Sequence, residues 1–151
     1  MELNGDPIAI LLVEDDAAQA EIVRRNLADF RVANRIVHVE DGQAALDYLF
    51  HEGGYGDPAK FPRPDLILLD LRLPKVDGQE VLRRIKESEE LRTIPTVVLT
   101  TSHAEGDMIA AYANSAASYL VKPVDFQKFT ELMSAFGFYW LAWNRFPQPE
   151  K

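Results

Sequence analysis

Two continuous runs of apolar residues stand out in the chain, and each ends in acidic side chains. Ile8–Val13 is followed by Glu14, and Leu66–Leu69 is followed by Asp70. Runs of this length are too short for a typical helix, and a segment that is apolar at every position is typical of a strand buried on both faces. Such strands occur mainly in parallel sheets covered by helices. Both runs are therefore predicted strands with carboxylates at their carboxyl ends.

The rest of the chain alternates between short apolar runs and apolar residues at helical spacing. Further strands are predicted over residues 35–39, 96–99 and 118–121. A helix is predicted after each strand, the first capped by Asp16 and the last beginning near Asp125. Five strands alternating with five helices predict an α/β, doubly wound parallel sheet with right-handed crossovers. The strand order 2-1-3-4-5 is taken over from other five-stranded proteins of this kind.

Residues 51–64 interrupt this alternation with closely spaced glycines and prolines. These residues disfavour both helix and strand, so the segment is predicted to be a long surface loop. A tolerated insertion is the favoured interpretation, and a binding role is the alternative.

Composition narrows the classes of function. The chain has 151 residues, a net charge of −8 and no cysteine, which predicts one domain over residues 1–151 and excludes disulfides and cysteine nucleophiles. No signal sequence opens the chain, and no run approaches the roughly 20 apolar residues of a membrane span. We therefore expect a cytoplasmic protein without membrane association. The negative charge argues against nucleic acid as a partner.

The predicted sheet brings the ends of its first, third, fourth and fifth strands to one edge. The polar side chains at these ends are Glu14, Asp15, Asp70, Thr100 and Lys122. Carboxylates crowded together repel each other unless a cation separates them, and oxygen ligands of this kind suit Mg²⁺. With Mg²⁺ and a lysine to neutralise phosphoryl oxygens, Asp70 would make chemical sense as a nucleophile toward phosphorus. The plainer alternatives, a turn-capping Asp70 and acids that only favour a helix N-terminus, stay open.

Four segments, in order and at fitting separations, resemble the receiver domain of two-component response regulators. They are Val13-Glu14-Asp15-Asp16, Leu69-Asp70-Leu71-Arg72-Leu73-Pro74-Lys75-Val76-Asp77-Gly78, Leu99-Thr100-Thr101 and Tyr119-Leu120-Val121-Lys122-Pro123. The likeness covers about residues 6–137 and implies a flavodoxin-like receiver fold with an extended C-terminal helix and tail. It implies a stand-alone response regulator in phosphorelay signal transduction, not an enzyme that turns over an external substrate.

The resemblance also assigns roles to the acidic residues. Asp70 would accept a phosphoryl group from a sensor histidine kinase and become an aspartyl phosphate. Glu14, Asp15, Asp70 and the backbone carbonyl of Arg72 would hold Mg²⁺ or Mn²⁺. The chain would promote its own phosphorylation and slow dephosphorylation. Arg72 is unusually bulky and is expected to overhang the site. By the logic of the family, this position tunes the rate of dephosphorylation, so the lifetime of the phosphoryl group is not predicted.

The remaining site residues are assigned in the same way. Thr100 and Tyr119 would form the switch pair, and Lys122 would bind the phosphoryl group. Thr101, where many relatives have alanine or glycine, is expected to belong to the same phosphoryl-binding and switch group. Pro123 is a candidate for a cis peptide bond.

The C-terminal extension, residues 138–151, contains both tryptophans of the chain. Residues at helical spacing form one stripe that runs into it: Phe129, Met133, Phe136, Trp140 and Trp143. The last two lie beyond the predicted end of the sheet, and large exposed apolar patches mark interaction sites. We expect a homodimer through the fourth helix, fifth strand, fifth helix and tail. The candidate interface residues are Phe138, Tyr139, Trp140, Trp143 and Phe146; a tail folded back on its own domain is the alternative.

The long loop and the aromatic tail are similar to those of small response regulators paired with phytochrome kinases, which implies a phytochrome as partner. The main alternative function is a pseudo-receiver, a protein-binding module that is never phosphorylated. A Mg²⁺-dependent phosphohydrolase is disfavoured because Arg72 stands where a general acid would be needed. A nucleotide-binding flavodoxin-like protein is disfavoured because no glycine-rich loop follows the first strand. The stimulus of the kinase and the downstream target are not predicted.

Overall fold

A five-stranded parallel sheet forms the centre of the protein. The computed structural model describes residues 8–28 and 34–147. The strands are β1 Ile8–Val13, β2 Asn34–Val39, β3 Leu66–Leu69, β4 Thr96–Thr100 and β5 Ser118–Val121. All neighbours pair in parallel in the order β2-β1-β3-β4-β5. The predicted α/β fold and its strand order are confirmed.

A helix follows each strand: α1 Ala17–Ala28, α2 Gly42–Leu49, α3 Gly78–Glu87, α4 Glu105–Ala113 and α5 Phe126–Gly137. Aspartates at the helix N-termini accept hydrogen bonds from backbone N–H groups that have no partner within the helix. The predicted cap Asp16 accepts from the N–H of Gln19 at 3.1 Å, and Asp125 accepts from the N–H of Lys128 at 3.0 Å. In the described part of the chain, no helix is both long and apolar enough to cross a membrane.

The sheet is buried on both faces, which explains the continuous apolar runs. Side chains alternate across a strand, so in β1 Leu11 and Val13 face a core formed with α2, α3 and α4. Ile10 and Leu12 face the other core, formed with α1 and α5. Because helices cover both faces of the sheet, polar side chains can lie together only at its edges, here at the carboxyl ends of the strands.

The loop over residues 51–64 contains one short 3₁₀ turn, Gly53–Tyr55, and packs against α2 through aromatic rings. The rings of Tyr48, Tyr55 and Phe61 meet edge to face, with centroids 5.0 to 6.0 Å apart. The Tyr48 hydroxyl also donates to the carbonyl of Pro62 at 2.9 Å. The predicted surface loop therefore has a small aromatic cluster of its own.

The C-terminal segment differs from the expectation of a uniform helix. After α5 the chain continues as a π-helical segment, Phe138–Trp143, whose wider turn is closed by the N–H of Asn144 donating to the carbonyl of Tyr139 at 2.8 Å. Because a π-turn holds more residues than an α-turn, Trp143 leaves the apolar stripe. Its side chain is 67% exposed, whereas Trp140 is only 9% exposed.

Two of the five expected interface residues therefore belong to the protein's own core. Trp140 packs in the cluster that contains Phe136 and Leu141, and Phe146 is partly buried against the same cluster. Trp140 is therefore not exposed for an interface, because the residues of this cluster cover its side chain. Phe138, Tyr139 and Trp143 are exposed, as expected.

Candidate functional site

Three charged side chains are buried together at the carboxyl edge of the sheet. Glu14 follows β1, Asp70 follows β3 and Lys122 follows β5, and they are only 2%, 7% and 5% exposed. The lysine ammonium forms an ion pair with each carboxylate, donating to Glu14 Oε1 and, at 3.0 Å, to Asp70 Oδ2. Since β5 lies two strands from β3, about 10 Å at ordinary strand spacing, a long side chain is needed to make this contact.

Backbone hydrogen bonds hold the main chain of the two acidic residues in place. The N–H of Glu14 donates to the carbonyl of Val39, and the N–H of Asp70 donates to the carbonyl of Val13, both at 3.1 Å. The ring Nε2 of His38 lies 2.7 Å from the carbonyl oxygen of Glu14. Both acids are thus fixed by the strands that deliver them.

Gly78, at the start of α3, allows the turn after Asp70 to close tightly. Its N–H donates to the carbonyl of Leu71 at 2.9 Å. A Cβ at this position would lie 2.4 Å from the carbonyl oxygen of Asp70 and 2.5 Å from the Cα of Leu71. Only glycine therefore fits here without displacing the backbone that carries Asp70.

The electrostatics of the cluster favour an additional cation. Burial raises the pKa of the Glu14 carboxyl to about 7, and the nearby Asp70 carboxylate adds to this rise, while the hydrogen bond from Lys122 opposes it. One ammonium therefore does not fully compensate the buried acids.

Asp15 completes a group of oxygen donors at the site. Oxygen atoms of Glu14, Asp15 and Asp70 all lie within 4.8 Å of one another. Asp15 is exposed, so this group opens to solvent. Carboxylate oxygens with access to water suit Mg²⁺ or Mn²⁺, which keep several water ligands. The residues present therefore fit a divalent cation.

Thr100 and Tyr119, the predicted switch pair, meet at one residue that the sequence did not single out. Thr100 is fully buried, and its hydroxyl oxygen accepts from the N–H of Ser102 at 3.3 Å. The Tyr119 hydroxyl donates to the carbonyl of Ser102 at 2.9 Å. Nothing in the local sequence marks Ser102, because its role depends on strands β4 and β5 lying side by side.

Thr101 and Pro123 line a cavity of about 410 Å³ beside the cluster, together with Gln19 and Lys122. Gln19, in the first turn of α1, accepts a hydrogen bond from the Lys122 ammonium at 2.6 Å. The sequence pattern did not identify it as a site residue. No cis peptide bond occurs within residues 8–28 and 34–147. The expected cis bond at Pro123 was therefore wrong, and the bond has the trans form that prolyl peptides prefer by about 0.5–1 kcal/mol.

Arg72 stands next to the site, and its side chain extends to α4. Its backbone N–H donates to Asp70 Oδ1 at 3.3 Å, while the guanidinium pairs with Asp107 in α4 at 2.5 Å. The overhang of this side chain above the site stays a prediction. The backbone carbonyl of Arg72 stays a predicted metal ligand.

Comparison with known proteins agrees with this arrangement. Residues 10–134 match the family model described as response regulator receiver domain. The probable methanogenesis regulatory protein FilR2 of Methanothrix harundinacea is 50% identical over 145 residues, which are 95% of this chain and 90% of that protein. Response regulator Rcp1 of Synechocystis is 42% identical over 138 residues, 91% of this chain and 92% of Rcp1.

Solved structures show the same likeness. The Mn²⁺-bound form of Rcp1 superposes with a TM-score of 0.90 at 40% identity, covering 94% of this chain and all of that one. The phosphorylated cyanobacterial phytochrome response regulator RcpA superposes with a TM-score of 0.89 at 38% identity, covering 95% of this chain and all of that one. From its buried acid–lysine cluster and these matches over nearly its whole length, the chain belongs to the response regulator receiver domain family.

Proposed function

We propose that Asp70 accepts a phosphoryl group from the phosphohistidine of a sensor histidine kinase, and that the chain relays this event by a change of conformation or association. The observation that carries the proposal is the Lys122 ammonium, which bridges the buried carboxylates of Glu14 and Asp70 at an edge open to solvent. A lysine in this position can pair with phosphoryl oxygens as soon as they arrive.

In the proposed transfer, a carboxylate oxygen of Asp70 attacks phosphorus. The bond from phosphorus to the imidazole nitrogen breaks, and its electron pair stays on the imidazole. Lys122 stabilises the charge on the transferred group, and the Thr100 hydroxyl turns to donate to a phosphoryl oxygen. A divalent cation held by Glu14, Asp15, Asp70 and the carbonyl of Arg72 would neutralise further phosphoryl oxygens.

The finer assignments belong to the same proposal. The chain acts as a single receiver domain in the cytoplasm, and it promotes its own phosphorylation and slow dephosphorylation without external substrate turnover. A phytochrome is the proposed kinase, supported by the likeness to RcpA. A homodimer through α4, β5 and α5 is supported by the exposed aromatic side chains of Phe138, Tyr139 and Trp143. The net charge of −8 supports a partner other than nucleic acid.

Intact mass tests the phosphoacceptor directly. After incubation with acetyl phosphate and Mg²⁺, the wild type should gain the mass of one phosphoryl group, which alkali then removes. Asp70→Asn and wild type with EDTA should gain nothing. Asp57→Asn, which removes a carboxylate of the 51–64 loop, serves as the matched control and should gain the full mass.

The same experiment separates the receiver from a pseudo-receiver. A wild-type chain that gains no mass from acetyl phosphate, and none from a phosphorylated histidine kinase, would contradict the proposal. The buried cluster would then serve only to hold the strand ends together.

A further inference from the structure

Asp107, in the first turn of α4, collects hydrogen bonds from three separate segments of the chain. Its Oδ2 accepts from the guanidinium of Arg72 and from the hydroxyl of Ser102, each at 2.5 Å. Its backbone carbonyl accepts from the side-chain amide of Gln79, at the start of α3, at 2.9 Å. The turn after Asp70, the turn after β4 and the start of α3 therefore converge on one residue.

These polar contacts matter because α4 has few apolar ones. Ala111 is its single buried residue, while Ile109 and Tyr112 are large apolar side chains exposed to solvent. Little buried apolar area holds the first half of this helix to the domain. Segments of this kind lie at the low end of local stability, so the contacts of Asp107 contribute a large share of what keeps the helix in place.

The same contacts connect α4 to the proposed phosphoacceptor. Arg72 is two residues from Asp70 and its backbone N–H already donates to the Asp70 carboxylate. Ser102 bonds both members of the predicted switch pair, Thr100 and Tyr119. A phosphoryl group on Asp70 would add up to about two negative charges and three acceptor oxygens next to Arg72.

The Arg72 guanidinium can bind either of two anions, the Asp107 carboxylate or a phosphoryl group on Asp70. The Arg72 side chain is 61% exposed, and its guanidinium bonds one carboxylate oxygen of Asp107. This ion pair is therefore weak and screened by solvent. Guanidinium groups bind phosphoryl oxygens in a fork with two parallel hydrogen bonds. A phosphoryl group therefore competes well with Asp107.

We propose that Asp107 is a positioning residue that holds the Arg72 guanidinium on α4 in the unphosphorylated chain. The phosphoryl group on Asp70 takes over this guanidinium and loosens the first turn of α4, which then keeps only its bonds to Ser102 and Gln79. The inference rests on the proposed function and extends it, since it names the contact through which the acceptor controls one helix. Because coupling between two sites is reciprocal, weakening the contact at Asp107 must strengthen the binding of a phosphoryl group at Asp70.

Beryllofluoride, a tetrahedral phosphoryl analogue that binds aspartate, measures this coupling without phosphoryl turnover. Its affinity in Mg²⁺ is determined by calorimetry for wild type, Asp107→Asn, Arg72→Ala and the double variant. Asparagine keeps an oxygen for the Ser102 hydroxyl and the backbone carbonyl for Gln79, and it removes only the charge that attracts Arg72. Glu80→Gln, which removes a carboxylate from an exposed ion pair on α3, is the matched control.

Asp107→Asn should bind beryllofluoride about threefold more tightly, the effect expected for loss of one competing exposed ion pair. Arg72→Ala should bind it more weakly, and adding Asp107→Asn to Arg72→Ala should change nothing further. Hydrogen exchange of residues 105–109 should accelerate when beryllofluoride binds the wild type. Glu80→Gln should match the wild type in both measurements.

Two results would overturn the inference while leaving the phosphoacceptor intact. One is a wild type that binds beryllofluoride with an affinity unchanged in Asp107→Asn. The other is an equal change from Asp107→Asn with or without Arg72, which would mean that the residue only stabilises α4. A wild type that binds Mg²⁺ but no beryllofluoride would overturn both proposals.

Discussion

The burial of Lys122 between two acids leads to a strong prediction about stability. Replacing it with methionine keeps much of the side-chain volume but removes the charge that Glu14 and Asp70 share. Breaking a buried ion pair by removing one partner costs about 3–5 kcal/mol, because the other charge is left uncompensated. Because Glu14 and Asp70 would both be left without their ammonium partner, we expect Lys122→Met to lose about 3 kcal/mol of unfolding free energy at pH 8 in EDTA.

The loss should depend on pH in a direction set by Glu14. The pKa of this carboxyl in the folded chain is about 7, above its ordinary value of 4.5. Between these two values the folded chain binds a proton that the unfolded chain has lost, so metal-free wild type becomes less stable as pH rises through this window. Removing Lys122 raises the pKa further and extends the window above 7. The difference between variant and wild type should therefore be smaller at pH 6 than at pH 8.

Urea unfolding in EDTA at both pH values measures these free energies, and repeating it with Mg²⁺ tests the site. The cation should restore part of the loss, because it supplies positive charge to the same carboxylates. Lys128→Met, at an exposed position on α5, is the control and should change stability by less than about 0.5 kcal/mol. A loss below about 1 kcal/mol for Lys122→Met at both pH values would refute the reasoning that the buried ammonium stabilises the fold by pairing with both acids.

Two further predictions concern packing. Trp140→Ala should lower the unfolding free energy by about 3 kcal/mol, as expected for a buried aromatic side chain. Trp143→Ala should lower it by less than about 0.5 kcal/mol, because this side chain is exposed. Thermal denaturation measures both losses, and equal losses would contradict the π-helical turn that separates the two residues. Gly78→Ala should cost about 1–3 kcal/mol, because the new methyl group meets the Asp70 carbonyl. It should also weaken Mg²⁺ binding, which calorimetry detects; an alanine variant with wild-type stability would show that the turn after Asp70 can relax.

The strands and helices could be predicted from the sequence because local patterns determine them, whereas the strand order was taken over from other proteins of this kind. Residues Ile8–Val13 and Leu66–Leu69 are apolar at every position, and a segment of that kind is stable only when helices cover both of its faces. Helix caps such as Asp16 act within three residues of sequence, so they are equally readable. The acids at the strand ends followed from the same rule, since parallel strands end at one edge.

Contacts between distant segments were decided by the tertiary structure alone. Lys122 contacts Glu14 across 108 positions of sequence, and Arg72 contacts Asp107 across 35. The periodicity of the sequence does not indicate which carboxylate a flexible basic side chain will pair with. The burial of Trp140 depended on one widened helical turn and on the cluster of sheet, α1 and α5 residues that it joins. Local preference forms the strands and helices and places their ends, whereas the pairing of long side chains depends on which segments the folded chain brings within reach.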